Sequence, residues 1–103
     1  MVLSNKVAII TGASRGIGKA IALAMANAGA NIVVNYVSND AAATEVVEQI
    51  RATGQKAIMF KADVAESEAA ENLIQAAHAE FGRIDILVNN AGITRDNLLV
   101  RMK

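Results

Sequence analysis

An α/β fold built on a parallel sheet is what this sequence predicts, and three observations carry the prediction. Short β-branched runs alternate with longer segments whose apolar residues recur at helical spacing. Hydrophobic residues make up 53% of the 103, yet aromatics only 3%, so Ala, Val, Ile and Leu must build the core, as strands covered on both faces require. Consecutive runs are separated by stretches long enough to hold a helix, and such crossovers join parallel strands with right-handed handedness.

The first run is Lys6–Thr11, followed by glycines at 12, 16 and 18. Ile17, Ala20, Ile21, Ala24 and Ala28 then mark one face of a helix that Gly29 stops. A second run, Asn31–Val37, passes through the capping cluster Ser38-Asn39-Asp40 into a helix presenting Ala43, Val46, Val47 and Ile50 before Gly54. The third run, Lys56–Lys61, precedes a helix capped by Ser67 that presents Ala70, Leu73, Ile74, Ala77 and Phe81 before Gly82. A fourth run, Ile84–Val88, ends in Asn89-Asn90-Ala91-Gly92. The predicted architecture is a doubly wound sheet of strand order 3-2-1-4 with helices on both faces, because the second connection continues outward and the third returns across the first strand. The tail, with Leu98, Leu99, Val100 and Met102, reads as the start of a helix, and the chain as cut after its fourth strand. A cut there would leave Ile84, Ile86, Leu87 and Val88 at an open apolar edge that templates self-association.

Composition excludes several classes of function. Ten Lys+Arg balance ten Asp+Glu, so no broad field attracts nucleic acid or anionic lipid. Without cysteine there is no disulfide scaffold, thiolate zinc site or thiol nucleophile. The longest apolar run, Ala20 to Ala26, falls far short of the ~20 residues of a membrane span, and Val7–Ile10 is too short for a signal sequence. A soluble protein of the cytoplasm is the expectation, with any redox chemistry supplied by a bound cofactor.

Thr11-Gly12-Ala13-Ser14-Arg15-Gly16-Ile17-Gly18 joins the first strand to the first helix. Unpaired N–H groups at a helix N-terminus, approached closely through glycines, suit a pyrophosphate. The spacing G-x-x-x-G-x-G differs from the commoner G-x-G-x-x-G, and small residues also serve simple helix–strand packing. Gly12-Ala13-Ser14-Arg15-Gly16 also spells the G-x-S-x-G of a hydrolase nucleophile elbow, for which Asp63 and His78 would complete the chain order. His78 lies about eleven residues into the third helix, roughly 16 Å along its axis toward the opposite end of the sheet, which argues against that rival.

Dinucleotide folds choose their cofactor at the end of the second strand, where an acid accepts from the ribose 2′-OH of NAD. Here the residues are Asn35-Tyr36-Val37, with no carboxylate, while Arg15 can pair with a 2′-phosphate, so NADP(H) is expected, with Asn35 and Tyr36 counted among the cofactor contacts. Asp63-Val64 and Asn89-Asn90-Ala91-Gly92 follow the third and fourth strands and face the same crevice. Asp63 can accept from the adenine amine with Val64 on the ring, or can serve as a turn aspartate; the asparagine pair suits a ribose or a neighbouring loop.

Thr11-Gly12-x-x-x-Gly16-x-Gly18, Asp63-Val64 and Asn89-Asn90-Ala91-Gly92 at these separations resemble the short-chain dehydrogenase/reductase family. Asn35-Tyr36 and the stretch from Ile93 to Lys103 resemble, within it, the NADPH-dependent branch that reduces 3-oxoacyl-carrier-protein in bacterial fatty-acid synthesis. The resemblance runs from Lys6 to the last residue. It implies a Rossmann-type fold, with residues 1–103 as the N-terminal dinucleotide-binding half of one domain. It places pyrophosphate and adenosine contacts on Gly12, Ser14, Arg15, Gly16, Ile17 and Gly18, Tyr36 where NAD-preferring relatives carry an acid, adenine on Asp63 and Val64, and the nicotinamide-side ribose on Asn90, Ala91 and Gly92. For a complete enzyme it implies a carrier-protein-bound substrate and a tetramer. The family's catalytic Asn, Ser, Tyr and Lys have no counterpart here: its Tyr-x-x-x-Lys would need lysine at 40, where there is Asp40. The chain alone is therefore expected to be inactive, with no catalytic and no metal-ligating residues, and a nucleotide-binding or self-associating module without catalysis is the alternative.

Overall fold

The computed structural model describes residues 2–90 and the backbone of 99–102. Four parallel strands, β1 (Val7–Ile10), β2 (Asn31–Tyr36), β3 (Ala57–Lys61) and β4 (Ile86–Asn89), alternate with α1 (Gly16–Asn27), α2 (Asp40–Ala52) and α3 (Ser67–Phe81). Their order is β3-β2-β1-β4, as expected, which makes this a Rossmann-type sheet. Ile9 pairs with Val33 on one side and Leu87 on the other, so the glycine turn after β1 leaves from the middle of the parallel strands.

Strand parity sorts the core into two layers. Ala8, Ile10, Ile32, Val34, Tyr36, Ile86 and Val88 pack beneath α1 and α2, whereas Ile9 and Val33 meet Leu73 and Ala77 of α3 on the other face. Among the described residues that second face carries α3 alone, and Ile58, Phe60 and Leu87 stay partly exposed there.

α2 buries the four residues that its pattern marks, Ala43, Val46, Val47 and Ile50. Asn39 caps it, in the left-handed conformation (φ 66°), by accepting from Ala42 N at 3.1 Å. α1 differs from expectation. Its buried residues are Gly18, Ala22 and Ala26, while Ile17, Ala20 and Ala24 are exposed. The helix is apolar almost all round, so periodicity marks no unique face, and close approach to the sheet selects the smallest side chains. α3 buries Leu73 and Ala77 but leaves Ile74 exposed, and its N-cap is Glu66, not Ser67.

The tail is a strand, not a helix. β5 (Leu99–Met102) runs antiparallel to β4, with Val88 opposite Val100. Unpaired N–H and C=O groups along β4 make a template for a nearby extended segment, whereas a short isolated helix is marginal in water. The edge at Ile84–Val88 that was expected to stand open is therefore occupied, and self-association through it has no free edge to act through. β4 also begins later than expected, at Ile86.

Candidate functional site

Because the four strands are parallel, their C-terminal ends collect on one edge of the sheet: Thr11 after β1, Asn35 and Tyr36 in β2, Asp63 beyond β3, and Asn89 and Asn90 at β4. The glycine turn reaches α1 through two left-handed positions, Gly12 (φ 62°) and Gly16 (φ 60°), where an L side chain is strained. Arg15 is the extended N-cap of α1 and contributes no side-chain cap. The first α1 amide to bond back is that of Lys19, to the Arg15 carbonyl at 3.2 Å, so among the described residues those of Gly16, Ile17 and Gly18 have no acceptor. A helix end with free amides and no capping side chain is complementary to an anion.

Gly18 serves a different end. A Cβ there would stand 2.3 Å from the Gly12 carbonyl oxygen and 2.6 Å from Asn90 Nδ2, so only glycine lets α1 begin this close to the turn.

Three polar side chains brace the turn from below. Thr11 Oγ1, 3% exposed, accepts from Asn90 N at 2.8 Å and lies 3.4 Å from the Val88 carbonyl and from Asn89 Oδ1. Asn90 Nδ2 donates to the Gly12 carbonyl at 3.1 Å. Asn35 Oδ1 accepts from Gly12 N at 3.2 Å, so asparagine side chains hold both the N–H and the C=O of Gly12. Asn35 is 0% exposed, and its Nδ2 donates to the carbonyls of Phe60 and Ala62 at 3.2 and 3.1 Å. Expected from sequence among the cofactor contacts, Asn35 is an internal strut whose amide bonds inside the protein.

Above the turn lies a cavity of about 250 Å³ lined by Gly12, Ser14, Arg15, Val37, Ser38 and Asn39. Arg15 is the only charged residue of its lining among the described residues. A larger cavity, about 330 Å³, is lined by Arg51, Lys56, Ala57 and Glu80 among others. It sits where β3 begins, at the end of the sheet opposite the turn, and ligands of open α/β sheets bind beyond the strands' carboxyl ends. Tyr36 is buried, and burial together with the neighbouring Asp40 carboxylate pushes its phenol pKa up.

Asp63 is exposed; its Oδ1 accepts from Ala65 N at 3.0 Å and its carbonyl from Glu66 N at 3.0 Å, a turn that leads into α3. Oδ2 makes no hydrogen bond among the described residues, so turn and ligand roles are compatible. Val64 does not line the Arg15 cavity. It borders a separate one of about 200 Å³ with Thr11, Leu73, Ile74, Leu87 and Asn89. Ala91 and Gly92 lie outside the described residues. His78 is exposed on α3 and no hydrogen bond joins it to Ser14, so no Ser-His-Asp triad is assembled among the described residues, nor is any group of three metal-ligating side chains.

A family model described as short chain dehydrogenase matches residues 6–103. The chain belongs to the short-chain dehydrogenase family. Among curated members, it is 54% identical over 101 residues to a 3-oxoacyl-[acyl-carrier-protein] reductase of Synechocystis, covering 98% of this chain and 41% of that protein. It is 50% identical over 99 residues to a Staphylococcus epidermidis reductase of the same name, covering 96% of this chain and 41% of that one. A solved short-chain dehydrogenase from Mycobacterium avium superposes with a TM-score of 0.85 at 45% identity, over 93% of this chain and 36% of the other. A hydroxysteroid dehydrogenase from Escherichia coli gives 0.82 at 44%, over 88% and 38%. The chain thus spans about 41% of the length of these two curated relatives.

Within this short-chain dehydrogenase fold, a third buried polar residue, Asp85, escaped the sequence reading. Asp85 accepts from Val7 N at 2.9 Å and from Arg83 Nε and Nη2 at 2.8 and 2.7 Å. The Arg83 guanidinium holds its pKa below the ordinary carboxylate value, against the opposing effect of burial, with the Val7 amide assisting. The signal available was a carboxylate directly before an apolar strand, which must be paired if buried. Asp85 lies at the β1 start, far from the glycine turn.

Proposed function

We propose that this chain forms the dinucleotide-binding half of an NADP(H)-dependent reductase, acting in its complete form in the cytoplasm on 3-oxoacyl groups carried by acyl-carrier protein. One observation carries the cofactor reading: among the described residues, the cavity beside the uncapped N-terminus of α1 is lined by Arg15 and by no carboxylate. An anion there meets free amides, a helix dipole and a guanidinium, while nothing rewards a bare 2′-hydroxyl with a charged acceptor. Gly12, Ser14, Gly16, Ile17 and Gly18 would hold the pyrophosphate, and Asp63 and Val64 the adenine. Asn90, Ala91 and Gly92 would border the nicotinamide-side ribose. Bound, such a cofactor supplies hydride. The carrier-protein substrate rests on the names of the reductases from Synechocystis and Staphylococcus, to which the chain is 50–54% identical, while a homo-oligomeric complete enzyme is what the family resemblance implies.

Tyr36 takes no part in proton transfer on this reading. Its neighbour at Tyr-x-x-x-Lys spacing is Asp40, and burial and that carboxylate raise its pKa, away from the neutral range a general acid needs. Titration with both cofactors tests the proposal. Arg15→Ala should weaken NADP⁺ roughly tenfold or more, the loss of a charge-assisted contact, and leave NAD⁺ nearly unchanged. Equal losses for both would refute the 2′-phosphate role.

A further inference from the structure

We infer that Asn35 is the positioning residue that sets the spacing between the two halves of the dinucleotide site, the glycine turn and the turn after β3. The inference rests on the reading of this site as a dinucleotide site. Asn35 sits near the end of β2, between β1 and β3, which carry those two turns. One arm of its amide, Oδ1, reaches Gly12 N at 3.2 Å; the other, Nδ2, reaches the carbonyls of Phe60 and Ala62 at 3.2 and 3.1 Å, one residue before Asp63. Its own carbonyl accepts from Ala13 N at 2.8 Å, and the next carbonyl, of Tyr36, accepts from Ala62 N at 2.9 Å.

The chemistry demands an amide. Gly12 offers a donor, Phe60 and Ala62 offer acceptors, and the primary amide is the compact group that accepts on one side and donates on the other. At 0% exposure no water replaces a lost partner cheaply. Asn35 touches no ligand; it acts by keeping Gly12 and Ala62 at one separation, so that pyrophosphate contacts at Gly12–Gly18 and adenine contacts at Asp63–Val64 match a single rigid molecule. Release of Gly12 lets the turn, held otherwise through Ala13 N and Asn90 Nδ2, drift relative to β3.

Asn35→Asp gives the sharpest test, because the charge state of the new carboxyl decides whether the strut exists. Ionised, it can accept from Gly12 N but faces two carbonyl oxygens with no proton to give. Protonated, it accepts from Gly12 N and gives its one proton to one of the two carbonyls, restoring the strut with a single donor and without the charge repulsion. Facing those carbonyls in a buried site, its pKa is raised, so the working form appears as pH falls. NADP⁺ affinity is measured by titration from pH 8 down to pH 5.5 on wild type, Asn35→Asp and Asn35→Ser, with each protein's folded fraction checked by circular dichroism. Arg15, Lys61, Asp63 and the 2′-phosphate itself are common to all three and cancel in the comparison. The expected result is that Asn35→Asp binds roughly tenfold or more weakly than wild type at pH 8 and recovers most of that loss at pH 5.5, while Asn35→Ser is weakened at every pH. A residue of merely structural importance would lower the unfolding midpoint of the variants and leave the affinity of the folded fraction unchanged. Wild-type binding matched by folded variants at all pH values overturns the positioning role alone. Wild type that fails to bind NADP⁺ or NAD⁺ overturns the dinucleotide reading and this inference with it. Should Asn35→Asp be unfolded at pH 8, Asn35→Ser decides the question.

Discussion

Gly16 and Gly18 belong to one motif but are predicted to fail for different reasons when replaced by alanine. At Gly18 the new Cβ would lie 2.3 Å from the Gly12 carbonyl oxygen and 2.6 Å from Asn90 Nδ2, where ordinary contact begins at 3.4 Å. Turn and helix must separate by about 1 Å, an overpacking that costs about 1–3 kcal/mol. The Asn90–Gly12 hydrogen bond is lost in the process, for about 1 kcal/mol more, offset by a gain of similar size because alanine favours a helix over glycine. The net expectation is about 2 kcal/mol of lost stability. At Gly16 nothing lies within 4 Å of the added carbon, and only the left-handed backbone (φ 60°) opposes it, at about 1 kcal/mol. Urea unfolding of both variants at unchanged m-value reads the two costs directly. If Gly18→Ala is within about 0.5 kcal/mol of wild type, or Gly16→Ala proves the more damaging, the close-approach argument is wrong.

Three further substitutions are expected to separate buried from exposed polar contacts. Thr11→Val keeps the shape but removes the nearer of two acceptors of Asn90 N, the Val88 carbonyl at 3.1 Å being the other, so it should lose about 1 kcal/mol in chemical denaturation while Thr11→Ser stays close to wild type. Asp85 has a folded-state pKa lowered by Arg83, so its stabilisation is present above the unfolded value near ~4 and fades as pH falls through the folded one. The stability difference between wild type and Asp85→Asn should therefore narrow below about pH 4; a gap that stays constant to pH 2 contradicts the linkage. Lys19 and Glu45 approach at 3.4 Å with side chains 32% and 65% exposed, and Lys19→Met should change stability by less than about 0.5 kcal/mol.

Where the sequence was legible, two physical signals coincided. Along α2 the apolar stripe Ala43, Val46, Val47, Ile50 stands against Asp40, Glu45, Glu48 and Arg51, so periodicity and charge agree on the buried face. The parallel order followed from crossover length and handedness, which depend on chain geometry more than on side-chain detail. In α1, apolar residues surround the axis almost completely, and backbone proximity chose Gly18, Ala22 and Ala26, a choice that hydrophobicity does not encode. The tail failed for another reason: Leu99–Met102 has no strong local preference, and the vacancy beside β4 decided its conformation. Within the candidate site, Gly12, Arg15 and Asp63 could be placed from strand ends alone. Asn35 could be noticed, as an amide in an apolar strand, but its partners at Gly12, Phe60 and Ala62 are brought to it only by three-dimensional neighbours.

The distribution of the buried polar residues bears on how the sheet finds its alignment. Val7-Ala8-Ile9-Ile10 lies against Ile32-Val33-Val34 and Ile86-Leu87-Val88 through side chains so alike that sliding a strand by two residues would still set apolar against apolar wherever the runs overlap. Hydrophobic burial alone scarcely distinguishes such slipped pairings. Asp85 at the beginning of β1 and Thr11 at its end act as stops against them: a two-residue slide moves each about 6.6 Å from its partner, Val7 N in one case and Asn90 N in the other. Each buried group orphaned in this way costs about 1–3 kcal/mol. A chain with both residues made apolar would retain its hydrophobic driving force while losing the penalty that excludes misaligned sheets, and the expected symptom is several slowly exchanging conformers where the parent chain has one.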